Sequence, residues 1–311
     1  MAIERTIVAE RTFDGFDGLA REGPSGLERA WRKLVRRPPA LFGLFCVMTV
    51  VIWAATPGLF APLDPLDQNL DRYLKPPGHV DAQGRTYWLG TDQQGRDILS
   101  RIIWGSRISL VVGIATVLVS GLIGVTLGLM AGFFGGKLDA VISRVVDTAL
   151  AIPFILLAMS LIAILGASLQ NIVVAIALRT WIVYTRVVRG EVLALKEHEF
   201  ITGARAMGCR TLRILVVYLL PNVLSSAIVV ATLYLGRMII IEASLSFLGV
   251  GVPPPTPTWG GMLSDGRAFL DTAWWIAFFP GVVLMLTVLG VNLLGDWLRD
   301  VLDPRMKRLA E

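Results

Sequence analysis

Long runs of apolar residues, separated by polar and turn-forming stretches, are the main pattern of this chain. We treat a run as a candidate membrane span when it has about 20 residues and few charges, because that length crosses a hydrocarbon core about 30 Å thick. A membrane helix satisfies its backbone hydrogen bonds internally, so we interpret these runs as helices. The pattern predicts six spans, at residues 40–61, 108–136, 141–165, 172–188, 222–241 and 272–295.

The boundary between the third and fourth spans falls inside a run that has no charged residue from 148 to 178. Residues 166–171, in the middle of that run, have the composition of a turn, and Asn171 is the expected cap of the fourth span. The spans together predict an all-α polytopic membrane protein. We expect three parts: a cytoplasmic N-terminal segment, a first transmembrane helix with an extracytoplasmic loop, and a core of five transmembrane helices, at residues 1–39, 40–107 and 108–311.

The composition supports a membrane protein and gives its expected orientation. The mean hydropathy is +0.65 and 17% of residues are charged, against about 25% in an ordinary globular protein. Counting the span ends with the loops, twenty Lys and Arg residues fall on the side that holds both termini and seven on the other side. The positive-inside rule therefore predicts that both termini are cytoplasmic. The same distribution explains the basic pI of about 9.5 without a nucleic-acid partner.

The sequence has no motif typical of catalysis. It lacks the G-x-x-x-x-G-K-[ST] phosphate loop, so we expect no nucleotide to bind this chain. It also lacks H-E-x-x-H and G-x-S-x-G, and its two histidines lie far apart in the sequence. Asp92 precedes the amphipathic pattern that starts at Ile98, and we interpret it as a helix cap rather than a metal ligand.

The predicted cytoplasmic loop between spans four and five, residues 191–221, is the most informative segment. It has a helix-forming first half, a glycine at position 208, and an apolar second half that ends at Pro221. This pattern predicts a short helix, a turn and a second helix on the inner face of the membrane. The small residues at 202–206 favour close approach of another protein, whereas a surface hairpin without a partner remains the simpler alternative.

This loop resembles the signature loop of permease subunits in ATP-binding-cassette (ABC) importers. That signature reads E-A-A, three residues, G, nine residues, I, one residue, L-P. Thr202 stands where the family has its glutamate, and Glu199 lies one turn upstream. The resemblance implies an ATPase-coupling loop whose candidate residues are Glu199, Thr202, Gly203, Ala204, Gly208, Leu220 and Pro221.

Further motifs are similar to those of one branch of that family, the C-type subunits of dipeptide and oligopeptide permeases. Residues 90–97 read G-T-D-Q-Q-G-R-D, and residues 243–251 read A-S-L-S-F-L-G-V-G before a proline-rich stretch. Residues 292–300 and 302–305 complete the resemblance, which covers roughly residues 33–308.

The resemblance implies the six-helix fold of a type I ABC importer permease in the bacterial cytoplasmic membrane. The implied partners are a related B-type permease subunit, two cytoplasmic ABC ATPase subunits and an extracytoplasmic substrate-binding protein, with membrane lipid around the subunit. Peptides are the implied substrates. ATP and magnesium are then expected on the ATPase subunits, and neither a cofactor nor a catalytic residue is expected on this chain.

Three alternatives remain open, one of which is a non-transporting scaffold or receptor subunit, because hydropathy alone does not exclude it. Nickel and glutathione importers share the same motifs. A secondary transporter driven by an ion gradient is less favoured, because such a protein typically carries carboxylates within several spans. Here only Asp147 and Glu242 lie at the edges of predicted spans.

Among the charged residues within or beside spans, Arg179, Arg237 and Glu242 are the ones for which we expect an intramembrane role. A charge at the centre of a membrane helix costs about 2.5–3.5 kcal/mol on insertion scales, so each needs a partner or water. We predict that they line a translocation path or form an intramembrane pair. A separate pattern, glycines at 121, 124, 128 and 132, predicts close helix packing along the second span.

Overall fold

The structure, a computed structural model, describes residues 34–35 and 37–302. The chain divides into a short unit, Met1–Pro38, and a large unit, Pro39–Glu311, and the large unit carries the features discussed below. Most of the predicted cytoplasmic segment 1–39, and the motif at 302–305 apart from its first residue, lie outside the described residues.

The described residues are mainly helical. A two-residue antiparallel hairpin, β1 (His79–Val80) and β2 (Thr86–Tyr87), lies between the first two long helices. The helices are α1 Pro38–Ala55, α2 Pro57–Phe60, α3 Ile98–Phe134, α4 Gly136–Ala151, α5 Phe154–Leu165, α6 Leu169–Leu195, α7 Glu199–Ala206, α8 Thr211–Phe247, α9 Trp259–Gly266 and α10 Trp275–Leu302.

Five of these helices, α1, α3, α6, α8 and α10, are each long and apolar enough to cross a membrane. The pair α4 and α5 passes the same test together but bends by 90°, so the described residues hold up to six spans. The sequence predicts one straight helix over 141–165, and the structure differs because of Pro153. Proline disfavours helical dihedrals in the residue before it, and Ile152 is extended at φ −88°, ψ 125°.

Two predicted helix caps are corrected by the structure. Asp97, not Asp92, caps α3, and its carboxylate accepts the backbone N–H of Ser100 at 2.8 Å. Ser168, not Asn171, caps α6, and its hydroxyl accepts the backbone N–H of Asn171 at 3.2 Å. The Asn171 side chain instead donates to two carbonyls at the end of α5 and just beyond it.

The fifth span is longer than the predicted 222–241, because α8 runs continuously through Pro221. A proline inside a helix removes one backbone donor and clashes with the carbonyl four residues earlier. The helix adapts by widening into a π-helical turn at Ile214–Leu219, directly before Pro221. The Leu-Pro motif therefore lies within a helix and does not end one.

Close packing of α3 against α6 forms the centre of the bundle, as the glycine pattern predicts. A β-carbon added at Gly128 would lie 2.8 Å from Cβ of Val188, and one added at Gly132 would lie 2.7 Å from Cβ of Val192. Only glycine lets the two backbones approach this closely. Near the other end of α6, Ile172 and Ile176 are buried in a cluster that includes Val112 of α3.

The two ends of the bundle differ. One end, here called the loop end, carries residues 57–97 and 248–274. It is tied to the helices by two tryptophans: Trp259 donates to the carbonyl of Ile102 at 3.0 Å, and Trp275 donates to the carbonyl of Thr91 at 3.1 Å. The opposite end, called the hairpin end, carries α7, which packs against the last turns of α6 and the first turns of α8.

Candidate functional site

The hairpin between α6 and α8 has the predicted helix and turn. Gly208 adopts φ +75°, a conformation that favours glycine, directly after α7. The backbone N–H of Cys209 donates to the carbonyl of Ala204 at 3.1 Å, and the backbone N–H of Gly208 donates to the carbonyl of Arg205 at 2.9 Å. These are the two bonds of a Schellman motif, which ends a helix and satisfies its last carbonyls.

One side of α7 is buried against the membrane helices. Ile201 and Ala204 are at most 1% exposed and lie in a cluster with Val188, Val192 and Ile214. The place of Ala204 among the small residues 202–206 suggested an exposed tip. The structure contradicts this, because Ala204 is buried. Of the other candidate residues, Glu199, Thr202, Gly208 and Pro221 are exposed, and Gly203 and Leu220 are half-buried.

The outer side of the hairpin carries apolar side chains that sequence reasoning missed. Phe200, Met207 and Leu212, here called the hairpin patch, are 44%, 77% and 71% exposed. The His198 ring stacks on Phe200 with centroids 5.8 Å apart. Phe200 lies four residues before the buried Ala204 and Met207 three residues after it, so helical spacing alone did not predict that they are exposed. An apolar patch beside charged residues is typical of a protein contact surface.

Two sets of contacts join the hairpin end to the rest of the bundle. The Arg205 guanidinium of α7 lies over the Phe133 ring at the end of α3, 5.1 Å from its centroid. Arg189 of α6 binds Asp139 of α4 with two nitrogens, at 2.5 and 2.7 Å. Such bidentate pairs fix geometry as well as charge, so α4 is held to the helix that leads into the hairpin.

The three charged residues of the spans do not share one environment. Glu242 is fully buried and accepts hydrogen bonds from Ser246 at 2.8 Å and Ser109 at 3.2 Å. Arg237 is exposed on α8, and its guanidinium lies over the Tyr234 ring at 5.6 Å. Arg179 is half-buried. Within the described residues, no ion pair joins any two of these three side chains.

Arg237 belongs to a polar stripe on the exposed face of α8. At 100° per residue, Asn222, Ser225, Arg237 and Ser244 fall within about one third of the helix circumference. All four are exposed, whereas Glu242 points to a different, buried side of the helix. Val229, Leu233 and the exposed Ile240 lie in the same third of the helix, so the face is mixed, but the Arg237 charge is unfavourable against lipid and favours water or another polypeptide around this residue.

A buried charge cluster lies at the loop end, in the G-T-D-Q-Q-G-R-D segment. Asp92 is 2% exposed and accepts the Nε–H of Arg96 at 2.7 Å and a hydrogen bond from Arg101. It also accepts the backbone N–H groups of Gln94 and Arg96. Asp92 thus organises this loop. The neighbouring Asp97 carboxyl is also buried, and burial raises its pKa above the ordinary aspartate range.

No group of three or more His, Cys, Asp or Glu residues in the described part of the chain is placed to hold a metal ion.

Comparison with known proteins identifies the family. Residues 124–308 match the model of the binding-protein-dependent transport system inner membrane component. Residues 25–77 match the N-terminal transmembrane domain of oligopeptide transport permease C. The chain belongs to this family of permeases, in its C-type branch. The permease fold and the family that the sequence motifs predict are thereby confirmed.

Curated relatives extend over nearly the whole permease. The di/tripeptide transport system permease protein of Pseudomonas aeruginosa is 42% identical over 287 residues, which is 92% of this chain and 95% of that protein. The dipeptide transport system permease protein of Alkalihalophilus pseudofirmus is 44% identical, covering 89% and 90% of the two chains. The glutathione transport system permease protein of Pectobacterium atrosepticum is 43% identical, with the same coverage.

Proposed function

We propose that this permease forms half of the membrane pathway of an ATP-driven importer for dipeptides and short oligopeptides. The observation that carries the proposal is similarity over nine-tenths of the chain to permeases named for dipeptide transport. The other half is a related B-type subunit, and two cytoplasmic ABC ATPases and an extracytoplasmic binding protein complete the importer. ATP and magnesium are bound by the ATPases.

In this proposal the hairpin end faces the cytoplasm and the loop end faces outward, in a bacterial cytoplasmic membrane. The excess of Lys and Arg on the side of the termini supports this orientation. Both termini are then cytoplasmic, and the cluster around Asp92 lies on the side from which peptide arrives.

The polar stripe of α8 is the proposed wall of the translocation path. Arg237 is exposed there without a carboxylate partner among the described residues, so it is available to the carboxylate of a passing peptide. Arg237→Gln is expected to lower uptake, and Arg237→Lys is expected to retain more of it, because the charge is kept. Ser244→Ala, on the same face of α8, is the matched control, because it removes a small polar group without changing the charge. Equal uptake by the two arginine variants would contradict a role for the charge.

The hairpin patch is the proposed ATPase contact. Fully burying an apolar side chain such as Met stabilises a contact by about 1.5–3 kcal/mol, so Phe200 and Met207 are expected to dominate association. Glu199 and Thr202 lie beside them and are exposed. An exposed ion pair from Glu199 contributes only about 0–1 kcal/mol.

A direct test is uptake of labelled dialanine by cells that lack this permease and by the same cells after complementation. The proposal predicts uptake only in complemented cells, and competition by unlabelled dipeptides. Glutathione is the second candidate substrate, because a glutathione permease is 43% identical to this chain. Competition by glutathione but not by dialanine would favour that alternative.

A further inference from the structure

A half-enclosed cavity of about 450 Å³ lies at the loop end, away from the hairpin between α6 and α8. Its walls come from the Asp92 loop, the start of α3, the proline-rich segment and α9. Small and apolar residues supply most of the lining, and it also includes six charged or amide side chains: Gln68, Gln93, Gln94, Arg96, Arg101 and Asp265. The volume is within the range of about 300–1,000 Å³ that is usual for small-molecule sites.

The two arginines of the cavity share one close carboxylate. Asp92 accepts hydrogen bonds from both Arg96 and Arg101, and all three side chains are at most 6% exposed. Among the described residues, these two buried positive charges therefore have one carboxylate, that of Asp92, within close hydrogen-bonding distance. Asp97 lies nearby in the sequence, but it caps α3 and does not line the cavity.

The second carboxylate, Asp265, is held loosely. The Nη2 atoms of Arg96 and Arg101 converge on the same oxygen, Oδ2 of Asp265, at 3.7 and 3.5 Å. Charge-assisted hydrogen bonds of this kind are usually about 2.7–2.9 Å long. The Asp265 side chain is also 36% exposed, so it has access to solvent. The two donors thus point to one location that a carboxylate oxygen occupies at more than hydrogen-bonding distance.

We propose that this cavity is a subsite for the carboxylate of an incoming peptide, which Arg96 and Arg101 bind through their Nη2 groups while Asp265 turns to solvent. Guanidinium groups suit this ligand because their planar donors match a carboxylate. The Gln side chains of the walls supply neutral polar contacts for the rest of the peptide. Asp265 then acts as an internal competitor for the same donors. The inference rests on the proposed peptide import.

The test uses the assembled importer in membrane vesicles, with Cys46 and Cys209 replaced by alanine. Thr256→Cys places a thiol on an exposed position of the cavity lining, and a neutral maleimide measures its accessibility. Dialanine is expected to slow this labelling. Dialanine amide, which lacks the carboxylate, should need at least about tenfold higher concentration, because hydrogen bonds to charged groups are among the stronger ones. Gln83→Cys, at the exposed turn of the β-hairpin, is the control and should be unaffected.

Two variants separate binding from folding. Arg101→Gln should abolish the protection by dialanine. Asp265→Asn should lower the dialanine concentration needed for protection several-fold, because the internal competitor loses its charge, and should leave dialanine amide unchanged. A gain of binding does not follow from misfolding, so this variant keeps the proposal testable if Arg101→Gln fails to reach the membrane.

Equal protection by dialanine and its amide, or no effect of Asp265→Asn, would overturn the subsite. Protection that needs the binding protein and not the peptide would also overturn it, and would assign the arginines to an acidic side chain of that protein. ATP-driven dialanine uptake is measured in the same vesicles. Uptake without carboxylate-dependent protection rejects the subsite alone, whereas absence of uptake rejects the proposed function.

Discussion

Replacing Gly128 with alanine tests the close packing of α3 against α6. The added β-carbon would lie 2.8 Å from Cβ of Val188 and 2.9 Å from the carbonyl oxygen of Thr185. The carbonyl belongs to the backbone of α6, so relief requires the two helices to separate. Overpacking of this kind costs about 1–3 kcal/mol. The better helix propensity of alanine offsets up to about 1 kcal/mol, so with the full offset we expect Gly128→Ala to destabilise the permease by about 0–2 kcal/mol.

Gly190→Ala is the matched control, because this glycine also lies in a long helix and no atom of the described residues is within 4 Å of an added β-carbon there. The assay is the fraction of monodisperse permease after heating in mild detergent, followed over a temperature series. We expect a lower midpoint for Gly128→Ala, and an unchanged or higher midpoint for Gly190→Ala. Val188→Ala should partly rescue Gly128→Ala, since neighbouring substitutions are not additive. Equal midpoints for the two glycine variants would refute the packing argument.

Three further predictions concern the hairpin and the orientation. Met207→Ser should leave the permease folded in the membrane but weaken ATPase co-purification. Ala204→Trp should instead lower the amount of folded permease, because Ala204 is buried. Equal membrane levels of the two variants would contradict this distinction. Glu199→Lys should weaken ATPase association by less than Met207→Ser, in line with the small contribution of about 0–1 kcal/mol from an exposed pair. Gln83→Cys should react with an impermeant thiol reagent in intact cells and Lys137→Cys only after permeabilisation; external labelling of Lys137→Cys would reverse the orientation.

The hydrophobic pattern predicted the five long helices of the described residues and their order, because span length is set by membrane thickness, but it also predicted one straight span where the structure has the bent pair α4 and α5. It placed the helix ends less well. The break at Pro153 overrides an apolar run that has no charge to mark it. Conversely, the helix that was expected to end at Pro221 continues through it as α8, because a π-helical turn accommodates the proline. In both cases the outcome depends on backbone hydrogen bonds that hydropathy does not describe.

The candidate sites were predictable only where the signal is local. The turn at Gly208 follows from its conformational preference and was predicted correctly. The burial of Ala204 depends on packing against α6 and α8, which the hairpin sequence alone does not reveal. Asp92 was misread as a cap for a similar reason. Its partner Arg101 is nine residues away, and Asp265, which faces the same arginines, belongs to a distant helix.

ATP-dependent uptake of labelled dialanine by vesicles that contain the complete importer is the measurement that tests the central claim most directly. Uptake is measured with active ATPase subunits, with ATPase subunits inactivated in their phosphate loop, and after an ionophore has collapsed the ion gradients. For an ATP-driven importer, uptake is expected to survive the ionophore and to stop when the ATPase is inactive. Uptake that stops with the ionophore and continues with the inactive ATPase would contradict the account and indicate an ion-driven transporter.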